Sequence, residues 1–181
     1  NLYAQDIFIP GDLSLAAYFI AAAIIVPNAD ILIKNVGVNP TRAEVLDVFR
    51  RMGAKIELIN RQTRNNEDVA DIHVVTSRLK GVRIDKNQAP ALIDELPVIA
   101  VAAAFAEGTT EITGLAGSKA KKSGKITALV TELAKMGARI TETEDGLIIE
   151  GKGNLRGTVV ESYNSHSLAM ALSVAGLVAE G

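Results

Sequence analysis

The chain has 181 residues, of which 48% are apolar, and it carries a formal net charge of −2. Its length predicts one domain with a sizeable core. Its slightly negative charge excludes a general attraction to nucleic acid or to an anionic membrane. The absence of cysteine excludes disulfides, thiolate metal sites and thiol nucleophiles, and it fits a reducing cytoplasm.

The longest apolar runs, 16–27 and 96–106, are shorter than the roughly 18 residues that a membrane-spanning helix needs. The N-terminal residues lack the basic and apolar segments of a signal peptide. We therefore expect a cytoplasmic protein without a membrane partner.

The first unit of the chain, about residues 7–76, predicts the order β-α-β-α-β-β. Its elements are a strand at 7–12, an almost wholly apolar helix at 13–26, a strand at 29–36, an amphipathic helix at 41–52 that Gly53 ends, and strands at 54–60 and 71–75 joined by a polar loop at 61–69.

The same order recurs in a second unit, about residues 77–152, and begins again in a third, 153–181. The repeat is closest where 51–56 (RMGAKI) aligns with 135–140 (KMGARI). The second unit predicts strands at 82–85 and 110–114, helices at 96–106 and 126–136, and a hairpin at Asp145-Gly146. The third predicts a strand at 158–161 and a helix at 168–179, so we expect it to be truncated.

The two kinds of helix predict a layered α/β (α+β) fold. The first helix of each unit is apolar on all sides and must be buried, so these helices should meet at the centre. The second helix carries Glu44, Asp47, Arg50 and Arg51 on one face and should lie at the periphery, with sheets outside. An unfinished third unit would leave a sheet edge or an apolar helix uncovered, which predicts self-association.

Several polar residues stand at helix starts, where a structural role and a binding role are both open. Asp94 precedes an apolar helix and can cap it. Lys119, Lys121, Lys122 and Lys125 crowd a loop that either is merely solvated or holds a phosphate or carboxylate. His166 begins the last helix, where a cap or packing role competes with a functional one.

Other helix starts favour structural roles. Asn39-Pro40-Thr41-Arg42 is typical of a helix cap followed by proline, and Asp12 and Ser14 either cap a helix or line a cleft. No group of residues has the spacing of a metal site, so we predict no metal and no cofactor.

Four motifs together resemble the 5-enolpyruvylshikimate-3-phosphate synthase family: 10–14 (PGDLS), 34–42 (KNVGVNPTR), 93–97 (IDELP) and 144–147 (EDGL). Each lobe of these two-lobed enzymes contains three β-α-β-α-β-β units, and the resemblance covers nearly all of residues 1–181. It implies the lobe formed mainly from the C-terminal half. It also implies a transferase of the shikimate pathway of aromatic amino-acid biosynthesis, which moves the enolpyruvyl group of phosphoenolpyruvate to the hydroxyl of shikimate 3-phosphate.

The resemblance also implies roles for single residues. Asp94 would be the general base that acts on the attacking hydroxyl, and Lys121, Lys125 and His166 would bind substrate.

The sequence departs from the family pattern at several charged positions, among them Lys122, Lys125 and Ser167. Lys122 stands where the family has the Glu that moves a proton at the methylene carbon of phosphoenolpyruvate. Lys125 replaces an arginine that clamps the substrate carboxylate in a bidentate manner, and Ser167 replaces another anion-binding arginine. We expect no turnover from this chain alone.

Two alternatives remain open. One is a non-catalytic scaffold that keeps the fold after natural or engineered loss of catalytic residues. The other is a different substrate, as in the related UDP-N-acetylglucosamine enolpyruvyl transferases or the RNA 3'-terminal phosphate cyclases. The cyclases would need a wider basic surface than a net charge of −2 suggests, and we expect no nucleic-acid partner.

Overall fold

The computed structural model describes residues 3–4 and 6–181 and has the expected mixed α/β fold. The helices are α1 (Leu13–Ile25), α2 (Glu44–Arg51), α3 (Leu96–Ala104), α4 (Lys119–Lys122), α5 (Lys125–Lys135) and α6 (His166–Gly176), with a 3-10 turn at Ala89–Leu92. The strands are β1 (Asp30–Gly37), β2 (Lys55–Arg64), β3 (Glu67–Val75), β4 (Arg83–Ile84), β5 (Gly108–Ile112), β6 (Arg139–Glu142) and β7 (Leu147–Gly151).

The strand order of the first sheet matches that of the last three strands of the second sheet, as a repeated unit would give. The first sheet has the order β1-β3-β2, and the second has the order β4-β5-β7-β6. A parallel bridge between Gly11 and Val36 stands in the first sheet where the parallel β4–β5 pair stands in the second. A parallel bridge between Arg156 and Glu180 has the same place in the third unit.

The three first helices meet at the centre of the molecule, as predicted. Helices α1, α3 and α6 pack against one another. Helix α3 is the most enclosed, with every residue but Pro97 at most 3% exposed. Its alanines let the neighbouring helices approach closely, so this region forms one dense apolar core.

Helix α1 does not follow the prediction on all its faces. Leu15 and Phe19, one turn apart, are 52% and 64% exposed. The described elements that pack against α1, namely β1, β3, α3 and α6, cover its other faces. The expectation that an apolar helix is buried all round is therefore wrong for this face.

Helices α2 and α5 lie at the periphery, as predicted. On α2 the side chains of Leu46 and Phe49 are fully buried, while Asp47 and Arg51 face solvent. Both helices stop at a glycine with positive φ, Gly53 at 100° and Gly137 at 90°, which is the usual helix-ending conformation.

The predicted polar loop at 61–69 is wrong, because β2 and β3 continue through it. The strands run to Arg64 and from Glu67, and Asn65 and Asn66 make the turn with φ values of 50° and 62°. Such a two-residue turn with positive φ matches the twist of a hairpin. The hairpin tip projects into solvent, so its residues are polar on both faces.

Two predicted strands and a second predicted loop are also wrong. Residues 7–10 and 158–161 follow irregular paths. The lysine-rich loop instead forms the short helix α4, because the Ser118 hydroxyl oxygen accepts a hydrogen bond from the Lys121 amide at 3.1 Å and caps it.

A carboxylate in the middle of the first sheet holds two bulges. Asp71 on β3 accepts hydrogen bonds from the Asn35 amide on one neighbouring strand and from the Asn60 side chain on the other, both at 2.8 Å. The strand register shifts at both asparagines, whose φ values are 56° and 52°. The side chain of Asn60 and the amide of Asn35 lower the pKa of Asp71, so the ionised form stabilises the sheet.

Candidate functional site

The N-terminal ends of the three central helices open into one cleft, which we call the central cleft. It has a volume of about 1280 Å³. All three repeat units contribute to its lining: residues 12, 14, 15, 18 and 42 from the first; 93, 94, 96, 97, 119, 120, 123–129 and 131 from the second; and 163–168 and 170 from the third.

Backbone N–H groups at these helix starts give one end of the cleft a positive potential. Asp12 caps α1 by accepting hydrogen bonds from the amides of Ser14 and Leu15, at 2.7 and 3.2 Å. Ser165 caps α6 by accepting one from the Leu168 amide at 3.4 Å. These caps already pair part of the N–H groups of α1 and α6, whereas no described side chain caps α3, so the helix ends favour an anion through their dipoles and through the amides of α3.

Cationic side chains add to this potential. Three cationic side chains line the cleft, those of Arg42, Lys119 and Lys125, and they outnumber the two carboxylates in the lining, those of Asp12 and Asp94. Arg42 is held in place because its guanidinium donates a hydrogen bond to the Ser14 hydroxyl at 3.3 Å. A ligand with phosphate or carboxylate groups fits this arrangement.

A polar network lies behind the lining and joins α1 to α3. The Ser14 hydroxyl donates to Glu95, whose side chain is 7% exposed. The Tyr18 hydroxyl lies 3.4 Å from the backbone oxygen of Asp94 and donates to it. Burial, together with the charges of Glu95 and Asp94, raises the pKa of Tyr18 to about 12, so the phenol stays protonated.

Three of the four residues proposed from sequence line the central cleft: Asp94, Lys125 and His166. Asp94 is exposed and does not cap α3; the residue before this helix is Glu95, and within the described residues no side chain caps it. The role of Asp94 as a helix cap, one of the two left open by the sequence, is therefore wrong.

Lys121, the fourth, lies outside the lining of the cleft. Its ammonium group is 2.8 Å from a carboxylate oxygen of Glu142 and also donates to the backbone oxygen of Thr143. The hydrogen bond from Lys121 lowers the pKa of Glu142, with a smaller effect from the hydroxyl of Thr127. Helix α4 turns Lys121 towards β6, and this ion pair gives it a structural role in the present conformation.

Sequence reasoning missed Arg42 as a cleft residue. The sequence of 39–42 predicts the start of a helix, but α2 begins at Glu44. Asn39 instead closes a turn by accepting from the Thr41 amide and hydroxyl, at 3.1 and 2.8 Å. This turn presents Arg42 to Ser14, a contact between residues 28 positions apart that no local pattern indicates.

Within the part of the chain that the structure describes, no group of three or more His, Cys, Asp or Glu side chains could hold a metal ion. Over the same residues, no helix is long and apolar enough to cross a membrane.

Comparison with known proteins decides the family. The sequence profile of EPSP synthase (3-phosphoshikimate 1-carboxyvinyltransferase) matches residues 1–181. The chain belongs to the EPSP synthase family. Its relatives include the 3-phosphoshikimate 1-carboxyvinyltransferases of Thermoanaerobacter sp. (strain X514), 58% identical over 181 residues, and of Thermosynechococcus vestitus, 50% identical over 180 residues.

Solved structures of the EPSP synthase family have the same fold. A structure of EPSP synthase from Acinetobacter baumannii superposes with a TM-score of 0.90 at 41% sequence identity and covers 96% of this chain. The chain spans 41% of that structure and 43% of the Thermoanaerobacter relative. It therefore corresponds to less than half the length of these EPSP synthases.

Proposed function

We propose that residues 1–181 form a single lobe of an EPSP synthase-type enolpyruvyl transferase, and that the central cleft holds part of shikimate 3-phosphate and phosphoenolpyruvate. The observation that carries this proposal is the convergence of three helix N-termini with Arg42, Lys119 and Lys125 on one cleft. Both substrates bear a phosphate and a carboxylate. These are the groups that such a cleft binds.

In this proposal the lobe acts in the transfer of the enolpyruvyl group to the substrate hydroxyl, with release of phosphate. Asp94 is the general base that accepts the hydroxyl proton. Its exposed carboxylate at the cleft has the access that such a transfer requires. Lys125 and His166 bind the anionic groups, and Arg42 joins them in place of Lys121.

A second lobe is the proposed partner of this chain. The central cleft is open, so one lobe encloses only part of two highly charged substrates. A facing lobe would supply further cations and exclude water, which strengthens every electrostatic contact in the closed site.

A non-catalytic scaffold is the second candidate. The observation that favours it is the position of Lys122, which is exposed, lies outside the cleft lining and stands where the family has its proton-transferring Glu. Ser167 likewise offers no positive charge to the cleft. A chain of this kind would keep the fold and the anion site but would not turn over substrate.

Reconstitution separates the two candidates. The chain would be combined with the complementary part of the Thermoanaerobacter relative, and phosphate release from phosphoenolpyruvate would be measured with and without shikimate 3-phosphate. An enzyme lobe gives release that depends on shikimate 3-phosphate and that Asp94→Asn abolishes.

A scaffold gives no release until the family residues return, as in the triple variant Lys122→Glu, Lys125→Arg, Ser167→Arg. If an assembled complex with this triple variant were also inactive, while the relative's own lobe restored release, the proposed function would be wrong.

A further inference from the structure

Glu132 is a charged side chain in the interior that the proposed chemistry does not use. It lies on α5 and is 0% exposed. Its carboxylate accepts hydrogen bonds from the ammonium of Lys135 at 2.8 and 3.0 Å, from the backbone amide of Glu161 at 2.9 Å and from the hydroxyl of Tyr163 at 3.0 Å. Two of these donors belong to a segment 29 or more residues away along the chain.

That segment, residues 158–165, has no regular secondary structure and leads directly into α6. Val159 is 86% exposed and Tyr163 is 57% exposed, and among the apolar side chains of this segment Val160 alone packs, partly buried, against the core. Tyr163 and Asn164 have φ values of 51° and 54°, a left-handed conformation that non-glycine residues rarely adopt. The polar contacts to Glu132 therefore do much to determine where the segment lies.

Glu132 connects two walls of the central cleft. Its own helix, α5, begins with Lys125, and the segment it holds ends at Ser165, the cap of α6, followed by His166. Both Lys125 and His166 line the cleft. A change in the contacts of Glu132 would therefore move one wall relative to the other.

The energetics support a positioning role over simple stabilisation. Burial raises the pKa of Glu132, but the hydrogen bonds from Lys135, Glu161 and Tyr163 outweigh burial and leave the pKa lowered. A well-packed apolar residue would often stabilise such a site as much as a buried ion pair does. What an apolar residue cannot do is bind an amide and a phenol of a distant segment in a defined geometry.

We propose that Glu132 is a positioning residue of the central cleft. It fixes the segment 161–165, and through it His166, relative to Lys125. Only the nature of the ligand rests on the proposed function; the positioning itself concerns this chain without ligand.

The chain allows a direct test, because His73 and His166 are its only histidines. Proton NMR then shows the imidazole signal of His166 from the cleft and a reference signal of His73 from the first sheet. The Nε2 of His73 lies 2.7 Å from the Oδ1 of Asp30. The measurements are amide exchange at Glu161 and the shift of the His166 signal as inorganic phosphate is added.

Three variants of the full chain would be compared with the native protein. Glu132→Gln keeps the shape and removes the charge. Tyr163→Phe removes one donor and leaves the carboxylate, so it decides the question even if Glu132→Gln does not fold. Glu150→Gln makes the same chemical change in an exposed ion pair, 3.5 Å from Arg139, and serves as the matched control.

We expect Glu132→Gln to speed exchange at the Glu161 amide by about tenfold or more, since a charge-assisted hydrogen bond is weakened. The His166 signal should shift, and its response should need severalfold more phosphate. Tyr163→Phe should produce smaller changes in the same direction, and Glu150→Gln should produce none.

The positioning role is overturned if the His166 signal and the exchange rate of the Glu161 amide are unchanged in both Glu132→Gln and Tyr163→Phe. It is also overturned if amide exchange rises equally in the central strand β3, which would indicate global destabilisation alone. A native chain whose His166 signal ignores phosphate contradicts the proposed function instead. In that case exchange at Glu161 still tests the positioning.

Discussion

Replacement of Phe49 by alanine tests how much the packing of α2 against the first sheet stabilises the protein. Phe49 is 0% exposed on α2, whereas Phe19 on α1 is 64% exposed, so the same substitution can be made in two opposite environments. A buried phenylalanine removes about 150–250 Å² of surface from water. At about 25 cal/mol per Å² this gives an upper bound of about 4–6 kcal/mol.

Core Phe→Ala changes cost about 3–5 kcal/mol, and we expect Phe49→Ala to lie in this range. Since domains have about 5–15 kcal/mol of stability, the variant should remain folded but be much more sensitive to urea. Phe19→Ala should cost less than about 1 kcal/mol. The assay is urea unfolding followed by circular dichroism, with equal slopes for the three proteins.

A loss below about 1 kcal/mol for Phe49→Ala at unchanged slope would refute the packing argument for α2. A large loss for Phe19→Ala would mean that the exposed face of α1 is covered in solution. A dependence of that loss on protein concentration would then indicate self-association, which stays a prediction.

The remaining predictions concern pH, backbone geometry and binding. The lowered pKa of Asp71 means that its stabilising effect is present at neutral pH and lost as the pH falls through the folded-state pKa. Asp71→Asn should therefore be less stable than the native chain at neutral pH in urea unfolding, and the two should converge in acid. Gly114→Ala should lower the melting temperature, because φ at Gly114 is +89° and an added Cβ would lie 2.3 Å from the Cα of Lys86. Gly117→Ala should leave the melting temperature unchanged, because no atom lies within 4 Å of an added Cβ there. Lys125→Met should weaken phosphate binding by about tenfold in calorimetry, as expected for a charged hydrogen bond, and Lys121→Met should change it much less.

Local patterns predicted most of the fold because each central helix is apolar and each peripheral helix ends at a clear signal. Gly53 and Gly137 follow the helices of the two complete units and adopt the same positive φ. The repeat then supplied the topology, since a unit that recurs must pack its apolar helix against its own copies.

The errors arise where the structure depends on distant partners. The apolar residues at 7–9 are typical of a strand, but strand formation needs a neighbouring edge, and in the described part of this segment only Gly11 finds one, at Val36. The 61–69 segment lost its alternation because a hairpin beyond the core is solvated on both faces.

The candidate site was predictable only in part, for a related reason. Lys121 and Lys125 are four residues apart, but the left-handed residue Gly124, with φ of 74°, separates α4 from α5, so sequence spacing does not place them on one face. Arg42 reaches the cleft through a turn whose sequence is typical of a helix start. Both outcomes depend on backbone geometry that residue type alone does not determine.

The central claim is that the cleft of this lobe binds a phosphorylated ligand, and calorimetric titration of shikimate 3-phosphate into the purified chain at low salt tests it most directly. We predict saturable binding that weakens with added salt and in Lys125→Met, but not in Glu150→Gln. Absence of heat at millimolar ligand, from a chain that circular dichroism shows to be folded, would contradict the claim.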